Sequence, residues 1–170
     1  MLEPTYATEL LAVVDRAAPE LLRVPGDAAA RRPGPGKWSA KEIIGHLIDS
    51  AANNHARFVR ASREPDLVCA GYAQDDWVRD QDYQSAPWPD LVALWSAYNR
   101  HLARVMAVIP TEARTRERRR HNLDQIGWRA LPAGEPATLD FLMRDYVGHL
   151  KHHLAQIACL LPAVSPPASS

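Results

Sequence analysis

The sequence predicts an all-α protein: a single four-helix bundle with two long crossover segments. Three observations lead there. Four stretches carry apolar residues at the i, i+3, i+4 spacing of a helix face. Capping residues and prolines stand where those stretches begin and end. No region has the alternating pattern of a strand-rich core, although Ile126–Ala130 could pair briefly. The chain's 170 residues, 46% of them apolar, suit one domain over residues 1–161. A Pro/Ser/Ala-rich tail, residues 162–170, reads as disordered.

The first helix is expected from about Pro4 to Leu22, with Leu10, Val13, Val14, Ala17 and Leu21 on one face. A Pro/Gly-rich loop follows, from Val24 to Lys37. The second helix has a defined start. Ser39 and Glu42 make a capping box, the serine side chain taking one free amide and the glutamate reaching back to another. It should run to about Ala61, ahead of Pro65. The third begins near Pro89, where a missing amide proton costs nothing. It carries Leu91, Leu94, Trp95, Tyr98, Leu102, Val105 and Ile109, and Pro110 stops it. The fourth starts after Thr138 as N-cap and runs to Leu161, before Pro162. The joining segments, Arg63 to Trp88 and Thr111 to Ala137, are longer than simple turns, and such loops in a small domain often carry function.

Composition excludes several classes. Twenty basic and twenty acidic residues cancel, which argues against nucleic acid or a membrane surface as partner. No apolar run approaches the ~20 residues of a membrane-spanning helix. The two cysteines, Cys69 and Cys159, are far apart, so neither a disulfide framework nor a thiolate zinc site is indicated. The first residues lack a signal-peptide pattern, and a cytoplasmic location is expected.

The fourth helix carries the chemistry. His149 and His153 are four residues apart, so both imidazoles leave one helix face. They continue the stripe of Leu139, Leu142 and Tyr146, while His152 falls on the flank beside Lys151. In the second helix Ile43, His46, Leu47, Ser50 and Asn54 share a side. If the two helices pack together, three neutral nitrogens can converge, and three ligands leave a coordination position open. The plain alternative, a core imidazole satisfied by one hydrogen bond, explains a single histidine better than a gathering of three. Leu150 stands where the zincin motif requires glutamate. Asp49, one turn after His46, is a candidate to orient that ring or to act as a base, or else a solvated surface residue. Gln156, one turn after His153, is a comparable supporting candidate. Arg57 and Tyr146 are candidates to contact an anionic substrate, or to pack.

Two segments carry a family resemblance. Trp38-Ser-Ala-Lys-Glu-Ile-Ile-Gly-His-Leu-Ile-Asp49 resembles the second-helix signature of DinB/YfiT-like proteins, and His149-Leu-Lys-His-His-Leu-Ala-Gln-Ile157 resembles their final-helix signature. Their order and separation agree too, so the likeness spans Tyr6 to Leu161. The resemblance implies an up-down-down-up bundle, a divalent metal (zinc or nickel) on His46, His149 and His153, and frequent homodimers. It also implies small-molecule chemistry: some members are transferases or isomerases that use a low-molecular-weight thiol, mycothiol or bacillithiol.

A thiol transferase or isomerase is therefore the leading expectation. A metal-dependent hydrolase and a non-catalytic metal or small-molecule binding module are the alternatives. Five arginines between Arg114 and Arg120 form a local basic patch, expected to be a solvated loop or an anion-contacting rim. Tyr72, Trp77, Tyr83 and Trp88 are expected to pack as a lid, and Cys159 to be buried and inert.

Overall fold

A computed structural model describes residues 5–161; Pro4 and the tail at 162–170 lie outside them. The described helices are α1 (Thr5–Leu22), α2 (Gly26–Ala29), α3 (Ala40–Ala61), α4 (Gln74–Asp80), α5 (Trp88–Val108), α6 (Thr111–Thr115), α7 (Leu123–Ile126) and α8 (Leu139–Leu160). The long ones, α1, α3, α5 and α8, form the bundle expected from periodicity. The Ser39–Glu42 capping box closes with both of its bonds. Thr138 accepts from the Phe141 amide at the start of α8.

Side-chain contacts fix the helix directions. Trp88 donates to the Leu21 carbonyl and Arg100 pairs with Asp15, so α1 and α5 are antiparallel. Lys41 reaches the Ala86 carbonyl while His55 meets Tyr98, so α3 and α5 run parallel. His46 faces His153 and Phe58 faces Tyr146, so α3 and α8 are antiparallel. Tyr6 donates to Asp140 where α1 and α8 both begin, so these run parallel. The chain order is thus up-down-down-up. The helices close a ring in the order α1, α5, α3, α8, around a core that includes Leu10, Ile43, Trp95, Leu102, Met106 and Leu139. Parallel neighbours α3 and α5 oblige the first crossover to travel the length of the bundle.

The structure departs from expectation in three places. No strand forms among the described residues, and the brief pairing expected at Ile126–Ala130 is absent. Ile126 instead closes α7, and isolated bridges join Leu67 to His121 and Arg118 to Ala137. The basic patch is not wholly solvated. Arg114 is buried and donates to Asp140, the Tyr6 hydroxyl and the Ile109 carbonyl. Arg118, only 2% exposed, donates to the carbonyls of Ala61, Ala113 and Arg116. Both guanidiniums brace loop backbone whose carbonyls would otherwise be buried without donors. Cys159 is exposed rather than buried. It lies two residues past the inward-facing Ile157, about 200° further round the helix.

Candidate metal centre

Antiparallel packing of α3 on α8 sets His46 opposite His149 and His153. Ring centroids stand 5.1 Å apart for His46–His149, 4.8 Å for His46–His153 and 4.6 Å for His149–His153. One nitrogen from each ring lies within 4.8 Å of the others. His46 Nε2 and His149 Nε2 are 3.2 Å apart. Two nitrogens sharing a tetrahedral zinc at ~2.0–2.1 Å would be about 3.3 Å apart, so the donor set fits a divalent ion.

The protonation states fit as well. His46 is 1% exposed; burial, with the charge of His153, lowers its pKa to about 4. Burial, with the neighbouring His153, His46 and His152, lowers His149 to about 3. His153 is lowered by burial too. All three rings are neutral at pH 7, so each offers a lone pair. His153 Nδ1 lies 2.9 Å from Gln156 Oε1. A proton on Nδ1 donated to that oxygen leaves Nε2 unprotonated. Ser50 Oγ is 3.5 Å from His149 Nδ1, at the limit of hydrogen bonding. His152 is exposed, lies beside Trp128 with its ring 5.3 Å from that of His153, and is not one of the three converging imidazoles.

Asp49 is not a solvated surface residue: it is 2% exposed. Its carboxylate accepts from the Tyr83 hydroxyl at 2.7 Å and the Gln81 amide at 2.8 Å, and burial raises its pKa. Gly45 makes this possible, because a Cβ there would sit 2.1 Å from the Tyr83 ring. No direct bond joins Asp49 to His46. Asp49 Oδ2 and His46 Nδ1 are each buried without a partner among the described residues, three positions apart on α3.

A cavity of about 280 Å³ opens beside His46 and His149. α3 lines it with Ser50, Asn54 and Arg57, and α8 with Leu142, Asp145 and Tyr146. The first crossover adds Gly71, Tyr72 and Gln74, and the second adds Gln125 to Trp128. Arg57 is buried, donates to the Ala70 carbonyl at 2.7 Å, and leaves Nε without a partner among the described residues. Tyr146 donates its hydroxyl to Asn99 Oδ1 at 2.5 Å, and burial pushes its pKa up.

Sequence reasoning missed Asp145 and Trp128. The Asp145 carboxylate accepts the backbone amides of Trp128 at 2.8 Å and Arg129 at 2.9 Å, and so ties the second crossover to α8. The Trp128 indole lies against Gly148, where a Cβ would stand 2.9 Å from it, and 6.4 Å from the His149 ring. An acidic residue directly before Tyr146, on the apolar stripe of the last helix, was the available signal. The expected aromatic lid divides: Tyr83 and Trp88 are core, while Tyr72 packs on the exposed Trp77. Burial raises the Cys69 pKa, so this thiol is not activated.

An up-down-down-up bundle that gathers three imidazoles from two antiparallel helices beside a cavity defines a specific structural class. The chain belongs to the DinB superfamily, whose family model matches residues 9–157. It is similar to the solved structure of YfiT from Bacillus subtilis, described as "a probable metal-dependent hydrolase with an unusual four-helix bundle topology". The two share 18% identity at a TM-score of 0.70, over 94% of this chain and 88% of that one. Among curated proteins no match is found. No described helix is long and apolar enough to cross a membrane.

Proposed function

We propose that the protein is an enzyme that holds a divalent cation, zinc or nickel, on His46, His149 and His153. It then joins a low-molecular-weight thiol of the mycothiol or bacillithiol type to an electrophile, or isomerises an unsaturated acid by adding that thiol across the double bond and expelling it again after rotation. The observation that carries this reading is the convergence of three neutral imidazoles beside a cavity large enough for a small molecule. When bound, the ion supplies Lewis acidity, lowering the pKa of a thiol or water below its free value of about 8.5 or 15.7.

The chain's own residues divide the remaining work. Gln156 fixes the His153 tautomer by taking its Nδ1 proton in a hydrogen bond. Asp49, held through Oδ1 by Tyr83 and Gln81, is assigned the orienting of His46, a reading supported by the buried, unpartnered Asp49 Oδ2 and His46 Nδ1 three positions apart on α3. Arg57 lends a buried positive charge to the cavity and attracts an anionic substrate. Tyr146 fixes Asn99 and forms part of the wall. Tyr72, Leu142 and Trp128 supply apolar surface to the cavity wall.

The carboxylates favour a thiol over water as nucleophile. Among the described lining residues Asp145 is the one carboxylate, and both its oxygens accept backbone amides. Activating water calls for a free base more than activating a thiol does, because the free thiol is much the stronger acid. The hydrolase reading keeps support from the description of YfiT, with Asp49 as its base. A thiol cosubstrate implies the reducing cytoplasm, and the family resemblance implies a homodimer, which light scattering would measure.

The deciding experiment uses untagged protein, stripped of metal and reloaded with zinc or nickel. It is presented with a panel of thiols plus electrophiles, and separately with esters and amides. Metal-dependent thiol consumption is expected for transfer, and thiol-dependent isomerisation of an unsaturated acid without net thiol loss for the isomerase. Turnover of esters or amides without any thiol would replace this reading with the hydrolase, and metal retention with no turnover would leave a binding module.

A further inference from the structure

A second pair of histidines meets on the opposite side of α3. His55 on α3 and His101 on the parallel helix α5 stand ring to ring, centroids 5.0 Å apart and planes at 89°. That spacing falls within the 4.6–5.1 Å range of the three-histidine cluster. His55 follows His46 by nine residues, about 13 Å along the helix and half a turn round it, so the two groups share neither a face nor a ligand. Tyr98, one turn before His101, places its hydroxyl 3.3 Å from His55 Nδ1. With Nδ1 donating to that oxygen, Nε2 keeps its lone pair for a cation.

We propose that His55 and His101 form a second divalent-cation site, independent of the first, selective for Cu²⁺, Ni²⁺ or Zn²⁺ over Mg²⁺ and Ca²⁺. The selectivity follows from the donors: imidazole nitrogen suits late transition metals, whereas Mg²⁺ and Ca²⁺ want oxygen. Burial and the charge of His101 lower the His55 pKa, so this ring is neutral at pH 7. His101 is exposed, which leaves the pair open to ions from solvent. Two protein ligands against three make this the weaker site, filled after the cluster on α3 and α8. Saturated protein therefore carries two ions per chain, and a count above one is not by itself a sign of non-specific binding.

Cu²⁺, the strongest binder of the series, is the probe. Untagged, metal-stripped protein is brought to equilibrium with it and the bound copper is counted per chain. Two ions are expected for the wild type. His55→Gln and His101→Gln should each lower the count to one and keep the tighter class. His46→Gln should instead lose or weaken the tighter class. A wild-type count of one overturns the proposal, as does a second ion that persists in both the His55 and His101 variants. Should either variant alter the far-ultraviolet dichroism spectrum, paramagnetic broadening of ring resonances in the wild type decides. Broadening at His55 and His101 supports the site, and broadening confined to other histidines overturns it.

Discussion

Acid should unfold the metal-free protein through its buried imidazoles. In the folded chain His46 titrates near 4 and His149 near 3, against 6.5 for an ordinary ring. A depressed folded-state value means that the unfolded chain takes the proton first. The stabilisation is therefore complete above pH 6.5 and drains away as pH falls toward 4 and then 3. At about pH 4.5 unfolded imidazoles are nearly all charged while these two are still mostly neutral. Linkage then gives a loss of about 2.5 kcal/mol for each, roughly 5 kcal/mol together. A small domain holds only about 5–15 kcal/mol in all. Asp49 and Asp145 act with the opposite sign, because burial raises their pKa values and their strain relaxes as they protonate. The assay is urea denaturation of chelator-treated protein at about pH 7.5 and 4.5, for the wild type and for His46→Asn. The acid-induced loss should shrink by about 2.5 kcal/mol in the variant. A wild-type stability that is flat across this interval, or an acid loss that the substitution leaves untouched, refutes the reasoning.

Three further outcomes are expected. His149→Ala and His153→Ala should each abolish metal retention by elemental analysis, while His152→Ala should keep it, since that exposed ring is not among the three converging imidazoles. Gln156→Ala should weaken metal binding about 10–100-fold in a chelator competition, because the His153 tautomer is no longer fixed. Gly45→Ala should cost about 1–3 kcal/mol in denaturant melts, as the new methyl collides with the Tyr83 ring that holds Asp49.

The four bundle helices were legible because each repeats its apolar spacing over 18 to 22 residues, with a capping box or proline at a boundary. The short helices were not, because four to seven residues hold too few turns to display a period. His149 and His153 declared themselves through local spacing alone. Setting His46 beside them required the adjacency of α3 and α8, which periodicity does not encode and the family resemblance supplied. Asp145 with Trp128, and Asp49 with Tyr83, are pairings across 17 and 34 positions that no helical repeat announces. Arg118 misled for another reason: inside an arginine-rich run it looks solvated, and only a surround of carbonyls makes its burial tolerable.

The cavity has two kinds of wall. Its floor belongs to α3 and α8, whose facing residues are constrained by packing and by the imidazoles they carry. Its rim is cut from the two crossovers, fastened to the bundle at a few points such as the Asp145 clamp. Drift in the rim can therefore change what enters while the anchoring nitrogens stay put, so descendants of one ancestor can part in diet while keeping the same hearth.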